Sequence, residues 1–167
     1  MLHIFQAETP AQIADARTLI LEYAKALGFD LCFQSFDQEM AQLPGDYAPP
    51  AGRLLLATWN TELAGVIALR PLKIDALACE MKRLYVRPQF RGKAIGRALV
   101  KFLIEQAQEC GYSRMVLDTL PGHMDQAIAL YREFGFREIP PYYLNPLTQA
   151  VYLELSLKDF STTRFSG

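Results

Sequence analysis

One segment constrains this chain more than any other: Leu84-Tyr85-Val86-Arg87-Pro88-Gln89-Phe90-Arg91-Gly92-Lys93-Ala94-Ile95-Gly96-Arg97, which passes from a β-rich run through a short basic turn into a helix. The run Leu77–Val86 ends where Arg87 precedes Pro88, because the proline ring pushes the residue before it out of helical geometry. The helix that follows, Ile95–Cys110, is amphipathic, with Ile95, Leu99, Phe102, Leu103, Gln106 and Cys110 along one side and Arg97, Lys101, Glu105 and Glu109 opposite; Gly111 closes it. A strand, a turn and a helix in that order leave the helix's first N–H groups and the positive end of its dipole at the turn, where phosphate binds well. Gly92 and Gly96 let a ligand approach the backbone, and Arg91, Lys93 and Arg97 add charge, which suits a pyrophosphate. The same residues also describe a solvated basic turn, and by themselves they leave both readings open. A Walker loop is excluded because no Gly-Lys-Ser or Gly-Lys-Thr occurs. A full dinucleotide fingerprint is excluded by the missing G-x-G-x-x-G and by preceding strands that read as antiparallel.

Periodicity supplies the rest of the framework. His3–Ala7 reads as a short strand. Ala11–Leu27 reads as a helix, with Ile13, Ala16, Ile20, Tyr23, Ala24 and Leu27 at helical spacing and Gly28 as its stop. Ser35–Leu43 is a weaker helix, and the proline-rich stretch Leu43–Gly52 is a loop within the domain. Arg53–Trp59 and Leu63–Leu69 form an antiparallel hairpin about Asn60, Thr61 and Glu62. Arg114–Asp118 is a strand, Asp125–Phe134 a helix ended by Gly135, and Ala150–Leu157 a last strand. Antiparallel strands followed by a strand-helix-strand-helix unit predict an α/β fold with a mixed, mostly antiparallel sheet flanked by helices. At 167 residues the chain, 1–167, is expected to be one domain.

Composition excludes several classes of function. With 17 basic and 18 acidic residues the net charge is -1, so no global field draws the chain to nucleic acid or an anionic membrane. No apolar run approaches the roughly 18 residues of a membrane span, and Met1–Pro10 lacks a secretory pattern, so the expected location is cytoplasmic. Cys32, Cys79 and Cys110 are odd in number and widely spaced, with two histidines in the chain, which predicts neither a disulfide framework nor a zinc site.

The cradle segment resembles the GNAT (Gcn5-related N-acetyltransferase) superfamily, whose acetyl-CoA signature is Arg or Gln followed by x-x-Gly-x-Gly or Ala; here it is Arg91 to Gly96, after a strand ending Leu84-Tyr85-Val86. Ala94 stands where the family usually has its first glycine; its methyl group is accommodated if the residue keeps ordinary helical angles, and it weakens the contact with the pyrophosphate without excluding it. A second segment, Ala127-Ile128-Ala129-Leu130-Tyr131-Arg132-Glu133-Phe134-Gly135-Phe136, resembles the family's Ala-x-x-Leu-Tyr-x-x-x-Gly-Phe. Met124 stands where the family often has asparagine, which removes one hydrogen-bonding group. The resemblance covers Arg53 to Leu157 and extends loosely to the first helix.

The resemblance implies an N-acetyltransferase that moves an acetyl group from acetyl-CoA to a primary amine by direct attack in a ternary complex. It implies that Leu84, Tyr85 and Val86 meet the pantetheine arm, that Arg91, Gly92, Lys93, Ala94, Ile95, Gly96 and Arg97 hold the pyrophosphate, and that the strand before the signature splays from the next to make a slot. Tyr131 then becomes the acid for the leaving thiolate, because a phenol stays protonated at neutral pH; read without the resemblance, it is an amphipathic core residue. Glu80 becomes the base, since strand alternation puts it on one face with Lys82, Leu84 and Val86; it equally reads as an ion-pair partner of Lys82 or Arg83. Asp118 and Thr119, at a strand end, read as turn formers, and His123 as a solvated loop residue.

The acceptor, a small molecule or a peptide, is expected between Gly28–Phe33 and Pro140–Pro146, where Asp30 or Glu39 pairs the amine cation and Tyr142, Tyr143 or Asn145 orients it. A homodimer is implied by the family habit, with Pro140–Pro146 and the last strand as its contact region. Two rival classes are a catalytically silent acetyl-CoA-binding sensor or assembly subunit, and a nucleic-acid binder using a stripe of Arg83, Arg87, Arg91, Lys93 and Arg97, which the net charge opposes.

Overall fold

The structure, a computed structural model, describes residues 1–28, 35–145, 147–158 and 160–161. Strands β1 (Leu2–Gln6), β2 (Arg53–Trp59), β3 (Glu62–Leu72), β4 (Asp75–Val86), β5 (Arg114–Thr119), β6 (Arg137–Ile139) and β7 (Val151–Ser156) form one seven-stranded sheet ordered β1-β2-β3-β4-β5-β7-β6. Its pairings are antiparallel except β4–β5. The helices are α1 (Pro10–Leu27), α2 (Phe36–Gln42), α3 (Ile95–Glu109) and α4 (Asp125–Phe134). The expected α/β class and the order of its main elements are what is observed; β6, at three residues, is too short to show a period.

Local chemistry accounts for the element ends. Thr9 Oγ1 accepts from the Gln12 amide and Gln12 Oε1 accepts from the Thr9 amide, both at 3.1 Å, while Pro10 occupies the first turn of α1. Gly28 ends α1 at a φ of 73°. The β2–β3 connection is tighter than the sequence suggests, because Asn60 and Thr61 both take positive φ and Glu62 already pairs with Trp59.

Alternation along β2 and β3 divides the core between the two faces of the sheet. Leu55, Ile67 and Leu69 pack with Leu99, Leu103 and Ile104 of α3 and Tyr131 and Phe134 of α4. Leu54, Leu56, Val66 and Ala68 pack with Leu19 and Ile20 of α1 and Phe36 and Met40 of α2. Among the described residues, no helix is long and apolar enough to cross a membrane.

Strand β4 breaks this alternation. Ala68 faces Lys82 and Val66 faces Tyr85, so Arg83 and Leu84 together oppose Ile67, and Arg83 adopts a φ of 63°. This β-bulge reverses the parity of the strand: Cys79 and Met81 share their face with Leu84 and Val86, and Tyr85 turns toward α1. The single-face reading of Glu80, Lys82, Leu84 and Val86 is therefore corrected, because one inserted residue exchanges the two faces.

Candidate active site

β4 and β5 are paired only from Ala78↔Arg114 to Glu80↔Val116, whereas β5 continues beside β7 to Thr119↔Val151. Beyond Glu80 the two strands part, and the gap is a cleft of about 610 Å³. Its walls are Met81–Val86 on one side, Leu117–Leu120 on the other, and Ala127, Leu130 and Tyr131 from α4; Tyr23 of α1 also lines it. Both strand edges keep backbone groups without a strand partner in this direction, and a ligand with amide groups can bond there.

The cleft ends at the turn before α3. Pro88–Phe90 form a short 3₁₀ segment anchored by buried Phe90, and Arg91 Nε donates to the Val86 carbonyl at 3.1 Å. Gly92 has a φ of 84° and open space where a side chain would begin. No side chain caps α3, so the amides of its first turn stand uncapped beside the cleft. Ala94 does not keep helical angles: it caps α3 at φ 60° and ψ 24°, a left-handed conformation that costs an L-residue roughly 1–2 kcal/mol. Glycine avoids that penalty, which is the physical meaning of the family's preference here.

The structure brings Leu84, Tyr85, Val86, Arg91, Gly92, Ala94, Ile95, Gly96 and Tyr131 to this one cleft. The side chains of Lys93 and Arg97 are engaged elsewhere. Lys93 Nζ lies 5.1 Å from the Trp59 ring centroid, and Arg97 pairs with Glu133 of α4 against the Phe134 ring. The basic stripe is likewise divided among carboxylates. Arg83 forms a two-pronged pair with Glu39 at 2.9 and 3.0 Å, and Arg87 binds Glu22 at 2.7 Å. Glu39 is thereby committed to Arg83, which the bulge turns toward α2, and not to an acceptor cation.

Tyr131 is buried, and desolvation, reinforced by Tyr23 and Asp118, pushes its hydroxyl well above the ordinary tyrosine value, so it keeps its proton. Met124 lines the same cleft and accepts the Thr119 hydroxyl at its sulfur. Cys79 is instead a core residue whose thiol burial pushes up, which disfavours a nucleophilic thiolate.

A second cleft, of about 340 Å³, lies against β3 and β4 and is lined by Arg70, Pro71, Leu72, Lys73, Ile74, Glu80, Lys82, Tyr142 and Tyr143, together with Ser35 and Asp46. Glu80 is here, with both oxygens occupied: Arg70, its cross-strand neighbour, donates to Oε1 at 2.8 Å, and the Tyr142 hydroxyl donates to Oε2 at 2.6 Å. Next along both strands, Lys82 Nζ lies 3.6 Å from Asp118 Oδ1, so an ion pair spans the point where backbone pairing stops. Tyr143 donates to Asp118 Oδ2 at 2.6 Å and accepts from Asn145 Nδ2 at 2.9 Å. Burial pushes the Lys82 ammonium down, with Asp118 opposing the shift, and pushes the Tyr142 and Tyr143 hydroxyls up.

Asp118, Lys82 and Arg70 are the site residues that sequence reasoning passed over. Their signal is register: once Glu80 faces Val116 in a parallel pair, Lys82 and Asp118 are the next residues on that face. The expected acceptor residues at 29–33 and Pro146 lie outside the described residues, whereas Tyr142 and Tyr143 are in the second cleft and Asn145 in the first.

The seven-stranded sheet is thus split between its parallel strands β4 and β5, with an uncapped helix start at the end of the split. The acetyltransferase (GNAT) family model matches residues 17–136, and the chain belongs to that family. It is 41% identical over 157 residues to an uncharacterised N-acetyltransferase of Schizosaccharomyces pombe, covering 93% of this chain and 95% of the relative. In fold it is similar to a GNAT acetyltransferase of Staphylococcus aureus Mu50, with a TM-score of 0.77 at 22% identity over 94% of this chain and 99% of the other. It is also similar to an acetyltransferase of Salmonella typhimurium solved with its cofactor acetyl-CoA, with a TM-score of 0.64 at 22% identity over 95% of each chain. Acetyl-CoA is the cosubstrate of the family.

Proposed function

We propose that this protein transfers the acetyl group of acetyl-CoA to a primary amine by direct attack, with both substrates bound together. The observation that carries this reading is the meeting of the two clefts at Lys82, where β4 leaves β5: one cleft suits a long phosphate-ended arm and the other a compact polar molecule. The groups on the first cleft fit the cosubstrate. Arg91, the open Gly92 and the uncapped start of α3 receive the pyrophosphate, with Lys93, Ala94, Ile95, Gly96 and Arg97 contributing through the main chain. The unpartnered edge formed by Leu84, Tyr85 and Val86 receives the amide groups of the arm.

Bound acetyl-CoA supplies an activated thioester. Tyr131 holds a proton for the departing thiolate, and its burial keeps that proton in place until charge develops on sulfur. Glu80 takes a proton from the acceptor's ammonium through the Tyr142 hydroxyl, which already donates to Oε2: the ammonium proton passes to the Tyr142 oxygen as the Tyr142 proton passes to Glu80, and the neutral amine so formed attacks the thioester carbonyl. Arg70 donates to the other oxygen, Oε1, at 2.8 Å and holds the carboxylate in place.

The test is calorimetric titration of the native protein with acetyl-CoA, followed by thiol release in the presence of a panel of primary amines. Saturable binding with amine-dependent release is expected. Binding without release for every amine would favour a silent acetyl-CoA sensor, and a folded protein that binds no acetyl-CoA would remove the enzyme reading.

A further inference from the structure

The geometry points to a small amino-carboxylate, an amino acid or close analogue, as the acceptor, its carboxylate received by Lys82 and Arg70 and its amine held beside Glu80 and Tyr142. This rests on the acetyltransferase reading and narrows it to a substrate class. Among the described residues, Arg70, Lys73, Lys82, Asp46 and Glu80 line the second cleft, and Asp118 pairs with Lys82 from the neighbouring one. Glu80 is already matched by Arg70 and Tyr142, so an acceptor bringing only positive charge, such as a polyamine or a lysine side chain, competes with Arg70 for it. An acceptor with both signs meets complementary charge on a short scale, because Glu80 and Lys82 are two residues apart on one face of β4.

Burial makes these charges informative. Glu80 and Lys82 are 3% and 7% exposed, and charges kept that far from water are held by partners of opposite sign. Lys82 lies 3.6 Å from Asp118, an ion-pair separation longer than a direct hydrogen bond, and its side chain lines both clefts. A carboxylate arriving there is placed where the two substrates meet. The volume of about 340 Å³ is at the small end for ligand clefts, which suits a free amino acid better than a bulky conjugate.

The experiment compares L-amino acids with their own carboxamides, which keep the amine and lose the charge. Initial rates and calorimetric binding to the enzyme–CoA complex are read for both series and for spermidine. We expect kcat/KM to fall about 10- to 100-fold from acid to amide, the effect of one charge-assisted hydrogen bond, with spermidine poorer still. Lys82→Met should shrink the acid-to-amide ratio to less than about 3-fold, and Lys82→Arg should restore most of it. If Lys82→Met fails to fold, the native comparison and Lys82→Arg decide. Equal use of acids and amides, or a preference for spermidine, by an enzyme that binds acetyl-CoA overturns this inference and leaves the acetyltransferase reading intact. Failure to bind acetyl-CoA overturns both.

Discussion

The two clefts meet at one residue, yet they are built from different parts of the chain. The larger one is made mainly of backbone: the free edges of β4 and β5, the left-handed Gly92 and Ala94, and the uncapped start of α3. The smaller one is made of side-chain charge, in the pairs Arg70–Glu80 and Lys82–Asp118 with the hydroxyls of Tyr142 and Tyr143 laid over them. A backbone site recognises what every member of a family shares, because amides and a helix dipole do not change with the side chains around them. A side-chain site changes with single substitutions, and the proposed reading puts acceptor choice there.

Substitutions can break or sharpen that contrast. The largest effect is expected in the larger cleft: Tyr131→Phe should lower kcat by about 10²–10⁴-fold, the usual range for a general acid, with the acetyl-CoA dissociation constant unchanged. Unchanged turnover would remove Tyr131 as the proton donor.

Next is the buried ion pair of Arg83 with Glu39. Glu39→Gln leaves the Arg83 guanidinium, whose side chain is 2% exposed, without its carboxylate and should destabilise the fold by about 3–5 kcal/mol in urea titrations. The pH dependence has a definite sign. Burial pushes the Glu39 carboxyl up, but Arg83 outweighs it and leaves the pKa below the ordinary value of 4.5. A folded-state pKa depressed in this way gives stability that is fully present above the ordinary carboxylate range and lost as pH falls through the folded value. The native urea midpoint should therefore drop on acidification below about pH 4.5 more steeply than that of Glu39→Gln. Parallel curves would mean that Arg83 is held by other groups.

In the backbone-built cleft, Gly92→Glu places a carboxylate and a strained left-handed φ beside the pyrophosphate cradle and should weaken acetyl-CoA binding by about 100-fold with the far-ultraviolet dichroism unchanged. Native-like affinity would show that the turn does not carry the pyrophosphate. The smallest effect is expected at Ala94→Gly, which relieves the left-handed strain at the cap of α3. A gain of about 0.5 kcal/mol is expected after the added unfolded-state entropy of glycine, read as a higher urea midpoint.

What was legible in the sequence follows the same division. The α3 helix, its turn and the Asp125–Phe134 helix are local patterns of period and capping, and they appear within a residue of where they were expected. That Leu84–Val86 and Arg91–Gly96 border a cleft was implied by the family resemblance, and all of them but Lys93 line it. Alternation failed at Arg83, where no residue type announces a bulge, and the condition that Ala94 keep helical angles is not met, because that residue takes the left-handed cap before α3.

By itself the sequence determined the order of the main strands and helices and the basic turn before α3, because these depend on neighbours a few residues apart. Only the tertiary structure decided where β4 leaves β5, which face Glu80 and Lys82 occupy, and that Arg70, Asp118, Tyr142 and Tyr143 converge on them from 10 to 62 residues away. The physical reason is that a buried charge is settled by whichever partner the register delivers, and register is a property of the whole sheet, not of any one strand.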